Sequence, residues 1–281
     1  MPGPRYVVCD VFTDTPLEGN QLAVFTDARN LPEEKLQPLA RELKFSETVF
    51  VYPAGPGAHA RMRIFTPATE VPFAGHPTLG TAFVLGGPMQ LGEIRLETGM
   101  GVVPVELERE GARIVFGRMS QPVPTVEPFG GEAAVLAALG VERSELPVEV
   151  YDNGLRHAYV CLGSKEAVAA VKPDFKRLEE AAGTTCVSTF AGEGTSWKTR
   201  MFAPYGGVDE DPATGSAAGP LCAHLVRHGL VPSGEEIEIS QGAEIDRPSK
   251  LYARVDGTRE RVDRVEVGGS AVIVARGEFN L

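Results

Sequence analysis

The chain has 281 residues and a net charge of −11, with 43% hydrophobic and 23% charged residues. That composition is globular, which excludes disordered and fibrous classes, and the length allows two domains of ~100–200 residues each. The excess of 38 acidic over 27 basic residues is the reverse of a nucleic-acid footprint and points to a small-molecule partner.

Val7–Phe12 and Leu22–Phe25 are apolar, β-prone runs joined by the turn-like Pro16-Leu17-Glu18-Gly19-Asn20, which predicts a hairpin. Pro32–Leu43 reads as a helix, with Leu36, Leu39, Ala40 and Leu43 at helical spacing, Asn30 as its cap, and Pro38 as an interior obstacle. Glu47 follows between this helix and a strand over Thr48–Tyr52. Arg61–Phe65 alternates as a strand, His76–Leu85 is an apolar helix behind a glycine, and Ile94–Glu97, Val102–Leu107 and Arg113–Phe116 are strands. In the second half, helices are predicted over Glu132–Leu139, Phe175–Ala182 and Ala217–Arg227. Strands are predicted over Ala158–Leu162, Val187–Phe190, Lys198–Phe202, Ile237–Ser240, Leu251–Val255 and Val272–Ala275.

This order repeats. Arg63-Ile64-Phe65-Thr66-Pro67 returns 137 residues later as Arg200-Met201-Phe202-Ala203-Pro204, and each copy is followed by a helix opened by Gly75 or Gly215. Thr98-Gly99 matches Gln241-Gly242 at an offset of 143, and Leu39 matches Leu178 at 139. Agreement among independent pairs predicts two similar domains facing each other across a cleft. Each would supply one helix start, whose unpaired N–H groups and partial positive charge suit a carboxylate. No run reaches the ~18–20 apolar residues that span a bilayer. Met1-Pro2-Gly3-Pro4-Arg5 lacks the design of a signal peptide. Cys9, Cys161, Cys186 and Cys222 form no CxxC pair and read as buried thiols. A cytoplasmic protein with no nucleic-acid or membrane partner is expected.

The densest polar clusters are the two helix-opening segments, Thr66–Thr78 and Val208–Gly219. Asp, Ser and Thr before a helix are ordinarily caps worth ~1 kcal/mol each. Their matched positions in two duplicated domains favour a shared site instead. Glu47, flanked by Phe45 and Val49-Phe50-Val51, is either a solvated glutamate or a carboxyl whose apolar surroundings let it take and return a proton. His76, at a helix start, is either structural or a neutral donor and proton relay. His224 and His228 share the i, i+4 spacing of metal ligands, but Leu225 stands where a zinc protease has glutamate and no third ligand is obvious, so a helix-surface pair is expected. No GxGxxG or GxxxxGK[ST] is complete, and Ser216 lies outside GxSxG, so nucleotide-phosphate binding and serine hydrolysis are unsupported. Arg254–Glu266 mixes both charges and reads as the solvated face of strands.

Together these residues resemble the phenazine-biosynthesis isomerases of the diaminopimelate-epimerase-like fold. The matching stretches are Asp10-Val11-Phe12, Pro16-Leu17-Glu18-Gly19-Asn20, Ser46-Glu47, Arg63–Pro67, Pro72–Pro77 and Asp152-Asn153-Gly154. They continue through Glu210-Asp211, Ala213–Gly219, Gln241-Gly242 and Arg247-Pro248-Ser249, and so span nearly the whole chain. The resemblance implies an α+β fold of two similar lobes from an internal duplication, each a sheet wrapped around a central helix. The expected boundaries are 1–122, 123–265, and a C-terminal strand over 266–281 returning to the first lobe. It also implies a homodimer that needs no cofactor and no metal. The implied reaction isomerises trans-2,3-dihydro-3-hydroxyanthranilate to an aminoketone. Glu47 would carry the proton between ring carbons, with His76 and Asp211 as catalytic partners. Asn20, Ser216 and the backbone at Gly75 and Gly215 would hold the substrate. Racemases of this fold use two cysteines in the helix-opening loops; Ala74 and Ala213–Gly215 carry none, which argues against that chemistry. Gln21 and Pro212 depart from the isomerase pattern and bear on substrate identity. The alternatives are an isomerase or epimerase of another small acid, and a ligand-binding protein without turnover; the joint presence of Glu47, His76 and Asp211 favours an enzyme.

Overall fold

The computed structural model describes residues 3–281; Met1 and Pro2, the start of the stretch read for a leader, lie outside the described residues. The chain divides into two units, residues up to Ser120 with Gly268–Leu281, and Gln121–Val267. In chain order the first half forms β1 (Arg5–Val11), β2 (Asn20–Phe25), α1 (Glu33–Leu43), β3 (Glu47–Tyr52) and β4 (Ala60–Phe65). It continues with β5 (Glu70–Val71), α2 (Gly75–Met89), β6 (Glu93–Thr98), β7 (Gly101–Glu110) and β8 (Arg113–Gln121). The second half forms β9 (Thr125–Pro128), α3 (Glu132–Leu139), β10 (Glu149–Asp152), β11 (Arg156–Cys161), α4 (Lys165–Ala170), α5 (Phe175–Ala182) and β12 (Cys186–Glu193). Then come β13 (Ser196–Ala203), β14 (Val208–Asp211), α6 (Gly215–Arg227), β15 (Glu236–Gln241), β16 (Ser249–Gly257), β17 (Val262–Gly269) and β18 (Ala271–Glu278).

The duplication extends to strand pairing. In the first unit β1 pairs antiparallel with β18 and β2, β2 runs parallel to β3, and β3 is antiparallel to β4. β4 is antiparallel to β5 and parallel to β6, and β6 is antiparallel to β7. The second unit repeats each step: β10 with β9 and β11, β11 parallel to β12, β12 antiparallel to β13, β13 antiparallel to β14 and parallel to β15, β15 antiparallel to β16. A two-strand unit is marginal in water, whereas these sheets each gain a hydrophobic face by wrapping a helix.

α2 and α6 are those helices. Both are buried along almost their entire length, as a helix without a polar face must be. A Cβ on Gly80 would come within 2.6 Å of Leu22 and 2.7 Å of Val11, so glycine there lets α2 approach its sheet. Outside the first sheet α1 lays Leu36, Leu39 and Ala40 on Phe25, Phe50 and Phe65. Outside the second, Leu136, Leu139 and Leu178 cover Val160, Val187 and Phe202. Each such leucine contributes ~1.5–3 kcal/mol by leaving water.

Several expectations need correction. Asn30 does not cap α1; Pro32 occupies the N-cap with extended backbone and no side-chain cap. Pro38 is accommodated because the carbonyl it leaves unpaired belongs to the solvent-exposed first turn. Glu47 is not between elements but begins β3. α4, capped by Ser164 accepting from the Ala167 N–H, was not anticipated; at six residues it is too short for a periodic signal. Arg254–Glu266 is not wholly a solvated face, because Glu266 is buried and takes Arg254 at 3.1 Å through Nε as well as Arg264. His224 is fully buried, not a surface residue, and Glu149 stands beside it and His228 as a third group. The four cysteines are free and buried. No helix among the described residues is long and apolar enough to cross a membrane.

Candidate active site

The first unit gathers Asn20, Glu47, Gly75 and His76. β2 and β3 run parallel with Leu22 opposite Glu47, which sets the carboxyl beside the strand that Asn20 begins. Gly75 and His76 open α2, and no side chain caps that opening: the N-cap residue is Ala74. The start of α2 therefore keeps its macrodipole and its outward N–H groups for a ligand. His76 Nδ1 lies 3.2 Å from the Asn20 amide nitrogen and 3.5 Å from Glu47 Oε2. Burial, outweighing a hydrogen bond with the Gln21 backbone, pushes the His76 imidazole down to about 3, so the ring is neutral at physiological pH. The neutrality expected from the helix dipole thus has burial as its main cause. The Glu47 side chain is 14% exposed and its Oε2 is buried, so the carboxyl is largely shielded from water.

The second unit gathers Asp211, Gly215 and Ser216. Asp211 ends β14 and is buried. Thr214, the N-cap residue of α6, does not cap the helix; its hydroxyl donates to Asp211 Oδ2 at 2.6 Å. Hence the reading of Asp, Ser and Thr as ordinary caps fails at both helix starts. Ser216 is buried in the first turn of α6, and its carbonyl accepts from Asn153 Nδ2 at 2.9 Å, while Gly215 O accepts from Gln121 Nε2 at 2.8 Å.

Sequence reasoning gave no roles to the residues that hold these loops. Asp10 is buried, and its Oδ2 accepts the Leu17 N–H at 2.7 Å, fixing the turn that delivers Asn20. Gln241 clamps the loop before α6: Nε2 donates to Asp211 O at 2.8 Å, and Oε1 accepts the Thr214 N–H at 3.1 Å. A Cβ on Gly242 would lie 2.4 Å from Pro212 O, and one on Gly99 would lie 2.9 Å from Pro72 Cα. While the Thr98 hydroxyl turns instead to Gly101 O and the Met100 N–H, the repeated glycines, Gly99 and Gly242, therefore back the two helix-opening loops in the same way. Paired arginines do likewise. Arg63 grips Glu70 with Nε and Nη2 at 2.7 and 2.6 Å, and Arg200 grips Glu210 at 2.8 and 2.7 Å. Each guanidinium also lies over a phenylalanine two residues on, 5.2 Å from the ring centroid.

Residues 9–277 match the family model described as phenazine biosynthesis-like protein. The chain is 50% identical to a trans-2,3-dihydro-3-hydroxyanthranilate isomerase of Pseudomonas aeruginosa over 277 residues, covering 99% of each chain. It is 47% identical to the protein of that name from Pseudomonas fluorescens, again over 99% of each. Among solved structures, a phenazine biosynthesis protein of Bacillus anthracis superposes with a TM-score of 0.85 at 26% identity over the whole of both chains. A probable proline racemase from Agrobacterium radiobacter, at 14% identity, a TM-score of 0.68 and coverage of 99% and 93%, shares the fold alone.

Proposed function

The chain belongs to the phenazine biosynthesis-like family, and from that premise we propose that it isomerises trans-2,3-dihydro-3-hydroxyanthranilate by acid–base proton transfer without a metal or cofactor. The observation that carries the reading is the half-buried Glu47 carboxyl 3.5 Å from a neutral, buried His76 at the uncapped start of α2. Forming an aminoketone from this substrate requires loss of hydrogen from the carbon bearing the hydroxyl and protonation of another ring carbon. One carboxyl within reach of both carbons performs both steps, as general base and then as general acid. His76 Nδ1 faces the Asn20 amide and Glu47 together. A proton on that nitrogen therefore favours ionised Glu47, ready to accept, and a lone pair there favours protonated Glu47, ready to give.

Asp211 and His76 serve the amino and hydroxyl groups. The Ser216 hydroxyl and the N–H groups at Gly75 and Gly215 bind the substrate carboxylate, as helix starts do. The four free, buried thiols support a reducing compartment, the cytoplasm, and the resemblance to the isomerases supports a homodimer. Purified protein should turn over this substrate, and Glu47→Gln should lose at least ~10²-fold in turnover while binding it nearly as well. Wild-type protein inert toward the substrate would refute the substrate assignment; near-normal turnover by Glu47→Gln would move the base to His76 or Asp211.

A further inference from the structure

At the far end of α6 from Gly215, three side chains converge that the proposed reaction does not use. His224 lies in the last turn of the helix, His228 follows as its C-cap, and Glu149 begins β10. Glu149 Oε2 lies 2.9 Å from His228 Nε2 and 3.3 Å from His224 Nδ1. Tyr151 Oη lies 3.2 Å from Glu149 Oε2 and 3.3 Å from His224 Nδ1. The ligating atoms of the two histidines and the glutamate are all within 4.8 Å of one another. We infer that Glu149, His224 and His228 form a binding site for a zinc-like divalent cation, with Tyr151 Oη or a water completing four-fold coordination.

Geometry argues for it. Zinc bonds of ~2.0–2.1 Å to nitrogen and oxygen place neighbouring ligand atoms ~3.3 Å apart in a tetrahedron. The two contacts of Glu149 Oε2 with the imidazoles and the two of Tyr151 Oη span 2.9–3.3 Å. The ligating atoms of Glu149, His224 and His228 all lie within 4.8 Å of one another, so side-chain adjustment brings them around one ion. The first ligand is also preorganised. The His224 ring is fully buried, stacked on Tyr159 at 5.7 Å and edge-on to Phe190 at 5.6 Å. Arg227 Nε holds Glu149 Oε1 at 3.2 Å, which orients the carboxylate and leaves Oε2 toward the histidines. Glu149 and His228 are only partly buried, at 13% and 19% side-chain exposure, which provides an entry path. Two imidazoles and one carboxylate select a first-row metal over calcium or magnesium, which prefer all-oxygen shells. The cluster lies about 12 Å along the helix from Ser216, at 1.5 Å per residue, so the ion would bind β10 to the end of α6 and take no part in the proton transfer.

Protein dialysed against a chelator and titrated calorimetrically with zinc chloride should bind one equivalent. His228→Ala and Glu149→Gln should each bind at least ~100-fold more weakly. Cobalt(II) should give the visible absorption of a four-coordinate nitrogen–oxygen site, which His228→Ala should lose. His228 stands at the rim, so its variant keeps the test meaningful if Glu149→Gln folds poorly, and circular dichroism checks both. Absence of stoichiometric binding to wild-type protein, or binding that His228→Ala leaves unchanged, overturns the site.

Discussion

Asp10 is a single buried carboxyl whose effect reaches two residues of the site, Asn20 and His76. The turn after β1 contains Phe12 at φ 64°, Leu17 at φ 71° and Gly19 at φ 67°. The left-handed region costs a non-glycine residue roughly 1–2 kcal/mol, so this turn holds its shape only where other bonds impose it. Gly19 relieves one position, since a Cβ there would lie 2.4 Å from Val11 O. The bond from Leu17 N–H to Asp10 at 2.7 Å supplies part of the rest. Asn20 follows directly, and its amide meets His76. Asp10→Ala should therefore lower stability by ~1–3 kcal/mol and lower turnover as Asn20 and His76 lose register. Asp10→Asn, whose amide oxygen still accepts, should restore most of both. Urea unfolding and steady-state rates measure the two effects; full turnover by Asp10→Ala would show that the turn does not position Asn20.

Between neighbouring elements, the repeated arginine–glutamate pairs test how far burial controls the strength of one geometry. Arg200 and Glu210 are each 8% exposed, while Glu70, the counterpart of Glu210, is 42% exposed. Removing one partner of a buried pair costs ~3–5 kcal/mol, whereas an exposed pair contributes ~1 kcal/mol or less. Arg200 also donates to the Val171 carbonyl at 2.7 Å, which softens the loss. Glu210→Ala should then destabilise by ~3 kcal/mol and Glu70→Ala by no more than ~1 kcal/mol, read from urea midpoints; equal losses would contradict the dependence on burial. The arginines were visible in the sequence as part of the repeat, because strand positions recur at a near-constant offset. Their partners were not, because the loop lengths differ: Glu70 lies seven residues after Arg63, and Glu210 ten after Arg200. The same limit hid Glu149 from His224 and His228, since it lies 75 residues before the first of them on another strand. α3 and α5 were legible to the residue, α5 because Phe175, Leu178 and Ala182 recur on one face, and α3 because its run of alanine, valine and leucine lies between Gly131 and Gly140. Both helix starts stood out by their polar density. The sequence could not tell a cap from an uncapped start, which depends on where the Thr214 hydroxyl turns.

Across the whole chain, duplication has been followed by division of labour. The place that Glu47 holds opposite Leu22 in the first unit is held by Cys186 opposite His157 in the second. A carboxyl therefore stands at this position in one unit only, as expected if the proton transfer proposed for Glu47 needs a single carrier. Chelation should accordingly leave turnover unchanged even where it lowers stability, since the proton transfer proposed for Glu47 needs no Lewis acid. His157 is itself fully buried, and burial pushes it down to about 4; burial also pushes His76 down to about 3 and His224 below its usual range. Each of these rings is neutral in the folded chain and titrates near 6.5 once unfolded. Between about pH 6.5 and pH 4 the unfolded state therefore binds more protons than the folded one, and stability falls as pH falls. The stabilisation is fully present above pH 6.5 and is lost as the pH drops toward the folded values. Each histidine contributes up to ~1.4 kcal/mol per pH unit across that window. His157→Leu, of similar volume and without a titrating ring, should remove one such increment from the acid slope and leave stability above pH 7 near or above that of the wild type. Urea unfolding of chelated protein at half-unit intervals of pH measures the slope, with chelation keeping His224 free of metal. A slope that His157→Leu leaves unchanged would show that His157 is protonated to the same extent in both states, and that the acid sensitivity comes from other groups.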